Sequence, residues 1–298
     1  DRRAGAPLGK HDIYLSTVGG VRVTEPASDL AVALALASSL RDQPLPAGTV
    51  ALGEVGLAGE VRPATGVARR IAEAARAAGV ERLVQISAIG ADANSPSGYG
   101  RSKAEAEAAV RAVYPDAVIL RPSIVFGSGD SFLNRFAHMA AYGPGLPLIG
   151  GGKTRFQPVY VGDVAEAIAR AVSLREAGGR TFELGGPAVY AFEDLMRLVL
   201  RETNRSKPLI GLPFGAAKML ATLMKPLGLL GVEPPITGDQ VLMLQRDNVV
   251  ASDAEGLAAL GIEPTGLEAI APSYLWRFRR GGQFAEAPIY AGGAGETA

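Results

Sequence analysis

The apolar and polar positions of this chain change rhythm near residue 80. Before it, the pattern is mixed. "DIYLSTV" (Asp12–Val18) has strand character and is punctuated by Gly19-Gly20. "TEPASDLAVALALASSLRD" offers capping residues and then an Ala/Leu run that predicts a buried helix. "GTVALGEVGLAGEVRP" reads as two short strands around glycines, a hairpin. In "TGVARRIAEAARAAG", Val67, Ile71, Ala74 and Ala78 form an apolar stripe, and Gly79 is the stop signal.

Beyond that point strand and helix patterns alternate. "RLVQIS" is a β-run leading to a helix with Tyr99 and Lys103; "AVILRPSIVFG" is a second β-run and "SFLNRFAHMAAY" a helix. "QPVYV" precedes the helix "GDVAEAIARAV", and "RTFELGG" precedes "AFEDLMRLVLRET". Such alternation predicts an α/β fold with a parallel sheet. "LIGLPFGAAKMLATLMKPLGLLGV" (Leu209–Val232) carries Lys218 and Lys225 and is broken by prolines, so it reads as a helical pair packed on the domain, with a membrane-surface or partner-facing helix as the alternative. The tail 281–298, rich in Gly and Ala, is expected to be disordered.

Composition narrows the functions. The 298 residues are 48% hydrophobic, enough for a sizeable core. Lys+Arg and Asp+Glu total 30 each, which leaves no overall basic footprint for nucleic acid. The absence of cysteine excludes disulfides, thiolate zinc sites and cysteine nucleophiles, and two histidines are too few for a histidine-rich metal site. No stretch reads as a transmembrane segment or secretory signal, so a bacterial cytoplasmic location is expected, with association to a membrane complex as a variant of it.

The chemistry centres on "YGRSK". Tyr99 and Lys103, four residues apart, share a helix face, where the ammonium is expected to draw the phenol below its usual pKa of about 10. A dinucleotide partner for that pair needs a glycine-rich turn between a strand and a helix. "GEVGLAGEVRP" spaces Gly53, Gly56 and Gly59 correctly, but Pro63 follows and the hairpin reading is better. "GGGKT" (Gly150–Thr154) lacks the earlier P-loop glycine, since Pro147 holds that position, and reads as a turn.

Two resemblances account for this. "GVERLVQISAIGAD", "YGRSKAEAE", "ILRPSIVFG", "GGGKTRFQPVYVGDVAEAI", "FELGGP" and "RDNVV", in order, resemble the extended and atypical short-chain dehydrogenase/reductases, above all the NAD(P)-binding accessory-subunit family of respiratory complex I. The resemblance implies a partial Rossmann-like parallel sheet with a C-terminal substrate-side subdomain over residues 77–280. It implies Tyr99 as proton donor or acceptor and Lys103 as the ribose ligand. Pro122 and Ser123 would line the nicotinamide pocket, and Asp163 would be structural. The third catalytic member would be Ser87, although the family register falls nearer Ile89.

Residues 1–76, from "LGKHDIYLSTVGGVRVTEP" to "GEVRP", resemble instead the Lon-protease-like domain of the RadA DNA-repair family, as a partial α/β segment. The protease dyad positions hold Ala27 and Ala68, and Ser28 is one place out of register, so no proteolysis is expected. The chain is thus chimera-like, whether by natural fusion, misjoined assembly or engineering. In it the reductase's first strands and glycine turn have been replaced. Three readings follow: an NAD(P)-dependent oxidoreductase or epimerase with weak or absent NAD or NADP binding, a non-catalytic accessory module in a respiratory or other protein complex, or a RadA-like fragment. "DIYLSTV" or "TVALGEV" is expected to pair beside "RLVQIS", which is otherwise an apolar edge.

Overall fold

A computed structural model describes residues 29–42, 54–55, 61–62, 66–224 and 237–284. These fall into two compact units, one holding the residues up to Leu83 with Ala108–Pro115, the other Val84–Glu107 and everything from Asp116.

The first unit contains α1 (Asp29–Arg41), β1 (Glu54–Val55), β2 (Val61–Arg62) and α2 (Val67–Ala77). The expected hairpin is present: β1 and β2 are antiparallel, with Glu54 opposite Arg62 and Val55 opposite Val61. Helix α2 ends as its glycine predicts. Gly79 takes a left-handed φ of 68°, its N–H donates to the Arg76 carbonyl, and Val80 N–H reaches back to Ala75. That double closure satisfies the last carbonyls of the helix. Two expectations fail here. The Ala/Leu run of α1 is not buried: Val32, Leu34 and Leu36 are half-buried, and the alanines between them are exposed. The described element it packs against most is β1, a two-residue strand, which covers one side of a helix that is apolar all round. On α2 the buried residue is Ala72 while Ile71 is exposed. The inward face carries the small side chains Ala68, Ala72 and Ala75, so size at close approach, not summed hydrophobicity, sets its rotation.

The second unit opens with β3 (Val84–Ile86), which leads to α3 (Gly98–Val113), and continues with β4 (Val118–Pro122), β5 (Val125–Phe126) and α4 (Leu133–Tyr142). Next come β6 (Leu146–Ile149), β7 (Arg155–Phe156), β8 (Val159–Tyr160), α5 (Val161–Ser173), β9 (Thr181–Leu184), β10 (Tyr190–Ala191) and α6 (Phe192–Glu202). The chain closes with β11 (Leu209–Leu212), α7 (Phe214–Leu223), α8 (Gly238–Met243), α9 (Leu267–Ile270) and α10 (Pro272–Leu275). Strands β3, β4 and β9 form a parallel sheet in that order, registered Ile86 to Leu120 and Leu120 to Phe182.

Period-two alternation splits the residues of this sheet. Val118, Leu120, Phe182 and Leu184 pack with Val164, Ala167 and Ala171 of α5, and Val84 leans on the same core. The opposite face carries Gln85, Ile119, Arg121 and Glu183. A second core gathers α4, α6, β6 and α10 around Phe126, Phe156 and Phe192, with Phe132 and Phe136 edge-on to Phe192.

Further expectations are refined. The β-run "AVILRPSIVFG" is two strands, because the chain leaves β9 after Pro122 and β5 pairs instead with β8. Leu209–Leu212 is a strand parallel to β6 rather than the first of two helices. Pro213 explains this: it excludes helix from the preceding residue and starts α7 immediately after itself. "GGGKT" is a turn, with Gly150–Gly152 all left-handed and an extended strand following. Of the two segments expected beside β3, Glu54–Val55 pairs with β2 and "DIYLSTV" lies outside the described residues, as do most of "TVALGEV" and the tail from 285.

Candidate active site

Strand β3 leads the chain to the candidate site, and α3 carries Tyr99 and Lys103. Beyond Ile86 the hydrogen bonding to β4 continues, from Ser87 N–H to Leu120 (2.7 Å) and from Ile89 N–H to Pro122 (3.0 Å). Ser87 and Pro122, both expected in the site, are therefore neighbours at the C-terminal ends of adjacent parallel strands, where such sheets bind ligands. Ile89 is fixed through its backbone, and its side chain offers no hydroxyl, so Ser87 is the serine that the described strand end supplies. The Ser87 side chain is 3% exposed, and its Oγ finds no hydrogen-bond partner among the described residues. Gln85 Oε1, two positions earlier on the same face, is likewise buried without one. A buried orphan hydroxyl costs free energy, and such atoms collect at sites that act on something else.

The turn into α3 is closely packed. Gly100 has no room for a side chain: a Cβ there would lie 2.6 Å from Ser95 Oγ and 3.0 Å from the Gly90 carbonyl. Arg101 turns back and donates to the carbonyls of Ser95 (2.6 Å) and Pro96 (3.0 Å). Tyr99 and Lys103 share the helix face as expected, with Lys103 Nζ 5.4 Å from the centre of the Tyr99 ring. The expected lowering of the phenol pKa is not found. Tyr99 is 42% exposed, and burial of the rest pushes its phenol above the ordinary value. The ammonium sits by the ring, where it gains a cation–π contact.

One further turn along α3, Glu107 is buried and grips Arg121 of β4 with two bonds, Oε1 to Nε at 2.9 Å and Oε2 to Nη2 at 2.7 Å. Bidentate pairing fixes orientation as well as distance. Helix α3 is thereby locked in rotation over the sheet face that holds Gln85 and Arg121. Its spacing from Lys103, four residues, was a signal in the sequence.

Ser123, expected to line the pocket, is committed elsewhere. Its hydroxyl donates to Asn248, 2.6 Å from Oδ1 and 3.0 Å from the carbonyl. The same Oδ1 accepts from Ile124 N–H (3.2 Å), and Asn248 Nδ2 reaches the Ile89 carbonyl at 3.4 Å. Through its backbone Asn248 also bonds Arg155 and Gln157. It ties the ends of β3 and β4 to β7, a role that "RDNVV" did not disclose. Asp163 is structural: it is buried and accepts from Thr265 N–H (2.6 Å) and Oγ1 (2.8 Å).

Tyr99 and Lys103 stack on one helix face, and the Ser87 hydroxyl has no partner among the described residues; a nicotinamide and its ribose would call on hydrogen-bonding groups of this kind. Among the described residues no glycine turn leads from a strand into a helix beside β3, and Gly53, Gly56 and Gly59 lie outside the described residues. No group of metal-binding side chains occurs among the described residues, and no described helix is long and apolar enough to cross a membrane.

Residues 61–185 match the NAD dependent epimerase/dehydratase family, a match that begins upstream of residue 77. The chain is 39% identical over 214 residues, 72% of its own length, to the rat mitochondrial NADH dehydrogenase [ubiquinone] 1 alpha subcomplex subunit 9, of which that stretch covers 56%. It thus spans about half the length of the curated relatives it matches. A separate stretch is 57% identical over 76 residues, 26% of this chain, to the DNA repair protein RadA of Mycobacterium tuberculosis, covering 16% of that protein. Two unlike relatives on separate stretches make the chimera-like pattern a finding. Among solved structures, a dTDP-glucose 4,6-dehydratase from Streptomyces venezuelae with NAD and TYD bound aligns with a TM-score of 0.52 at 18% identity, over 71% of this chain and 63% of that one. That likeness shows the fold, a Rossmann-like α/β arrangement with a parallel sheet.

Proposed function

We propose that this chain, with its Rossmann-like sheet and its match to the NAD dependent epimerase/dehydratase family, is a short-chain dehydrogenase/reductase-like relative of the complex I accessory subunit whose cofactor grip is impaired. The observation that carries the reading is the mismatch of the two ends of the site. Tyr99, Lys103 and Ser87 remain, while no glycine turn from a strand into a helix is described beside β3. Hydrogen bonds to charged groups contribute roughly 1.5–3 kcal/mol each, so losing about three removes about 4–9 kcal/mol. At about 1.4 kcal/mol per decade, affinity falls by roughly a thousandfold to a millionfold.

The bound group, when held, would supply hydride chemistry; this chain's own residues supply a proton. A phenol pushed up by burial stays protonated at neutral pH, so Tyr99 stands as a donor rather than a base. Titration calorimetry with NADH and NADPH tests the reading, with no saturable heat expected below roughly 1 mM. A micromolar dissociation constant would sink it. Turnover across a panel of carbonyl substrates, abolished by Tyr99→Phe, would establish an enzyme; cofactor-independent inertness supports the binding module.

The second reading, a module without chemistry in a larger protein assembly, is favoured by the 39% identity to a respiratory-complex subunit. Comigration with such an assembly on native gels checks it. The RadA-like stretch is too small a part of that protein to carry its activities here.

A further inference from the structure

The helix that presents Tyr99 begins with backbone donors that its own sequence cannot satisfy. The first N–H groups of any helix lack intrahelical acceptors. Ser97, just before α3, accepts from Gly100 N–H at 3.3 Å and so serves one of them. Gly98 and Tyr99 N–H remain. Both donate to the carboxylate of Asp239, 140 positions downstream, at 2.7 and 3.2 Å. The Ser97 hydroxyl donates to the same carboxylate at 2.9 Å, so the local and the distant acceptor are joined in one network.

We infer that Asp239 is a positioning residue for Tyr99, closing the N-terminus of its helix with a carboxylate supplied by α8. The inference rests on the reading of Tyr99 as the reactive group. Three features argue against chance contact. Asp239 is placed rigidly: Thr237 and Gln240 exchange hydrogen bonds at the start of α8 (3.1 and 3.2 Å), and Val241 of α8 is buried with Ala217 and Ala221 of α7. Its charge suits the position, because a helix N-terminus carries partial positive charge. Burial pushes its carboxyl up, but the bonds from Ser97, Gly98 and Tyr99, with the Arg101 charge, outweigh that and hold it below the ordinary carboxylate value. The substrate-side segment therefore sets the first turn of α3, and with it the Tyr99 ring beneath Lys103.

Two local readouts test this without cofactor or turnover, so their failure is separable from failure of the functional reading. Amide exchange reports the cap at Gly98 and Tyr99. The ring-current shift of the Lys103 side chain reports the Tyr99–Lys103 stack, assigned by its loss in Tyr99→Leu. Asp239→Ala is expected to speed both amides roughly five- to tenfold and move Lys103 toward its random-coil shift. Asp239→Asn, which keeps an acceptor oxygen, should restore much of both. Unchanged local signals in Asp239→Ala, with or without a fall in melting temperature, would overturn the proposal. If Asp239→Ala does not fold, Ser97→Ala should give a partial loss of the same two signals, and no change there overturns it equally.

Discussion

Strands β3 and β4 are parallel neighbours in one sheet, yet their situations differ sharply. In β4, Val118, Ile119 and Leu120 are fully buried, and the strand pairs with β3 on one side and β9 on the other. In β3 no residue is fully buried, Ile86 is 40% exposed, and among the described residues the strand pairs with β4 alone. Both sequences are rich in Val and Ile. Among the described residues their burial follows how many neighbours each strand has.

The contrast can be broken at its centre first. Leu120→Ala should cost about 2–5 kcal/mol of unfolding free energy in denaturant titrations, because it leaves a cavity between the sheet and α5. Glu107→Ala deprives Arg121 of β4 of its bidentate partner and is expected to cost roughly 1.5–3 kcal/mol. Pairing it with Arg121→Met in a double-mutant cycle separates the bond from the desolvation it relieves. Asn248→Ala unties the ends of the two strands and strands the Ile124 N–H, for about 1–2 kcal/mol, with faster amide exchange at Ile124 as its mark.

The pH dependence is subtler. The Asp239 carboxyl is depressed in the folded state, so its contribution is complete above the unfolded-state value of about 3.9 and fades as pH falls through the folded one. The stability gap between the parent and Asp239→Asn should therefore close in strong acid; a gap that widens there would contradict the assigned direction. Smallest of all, Ile86→Thr, at a position 40% exposed, should stay within about 0.5 kcal/mol while reducing light scattering on concentration.

Much of the site was legible in residue order. The Tyr99–Lys103 spacing placed both on one helix face, and the run of β and helical patterns from Val84 gave the parallel sheet. Pro213 and Gly79 marked boundaries where the backbone obeys them. The helix rotations were less legible: on α2 the alanine face, not the Ile71 stripe, turns inward, because close packing rewards small side chains that a hydrophobic count undervalues.

What the chain's order determined alone was local: which residues can be helix or strand, where glycine and proline stop them, and which side chains lie one turn apart. Tertiary structure decided everything that joins distant positions. It brought Asp239 to the start of the Tyr99 helix, bound Ser123 to Asn248, and, among the described residues, left Ser87 without a partner and β3 with β4 as its sole neighbour. Hydrogen bonds and burial depend on neighbours in space, and neither the identity nor the spacing of residues names a neighbour 140 positions away.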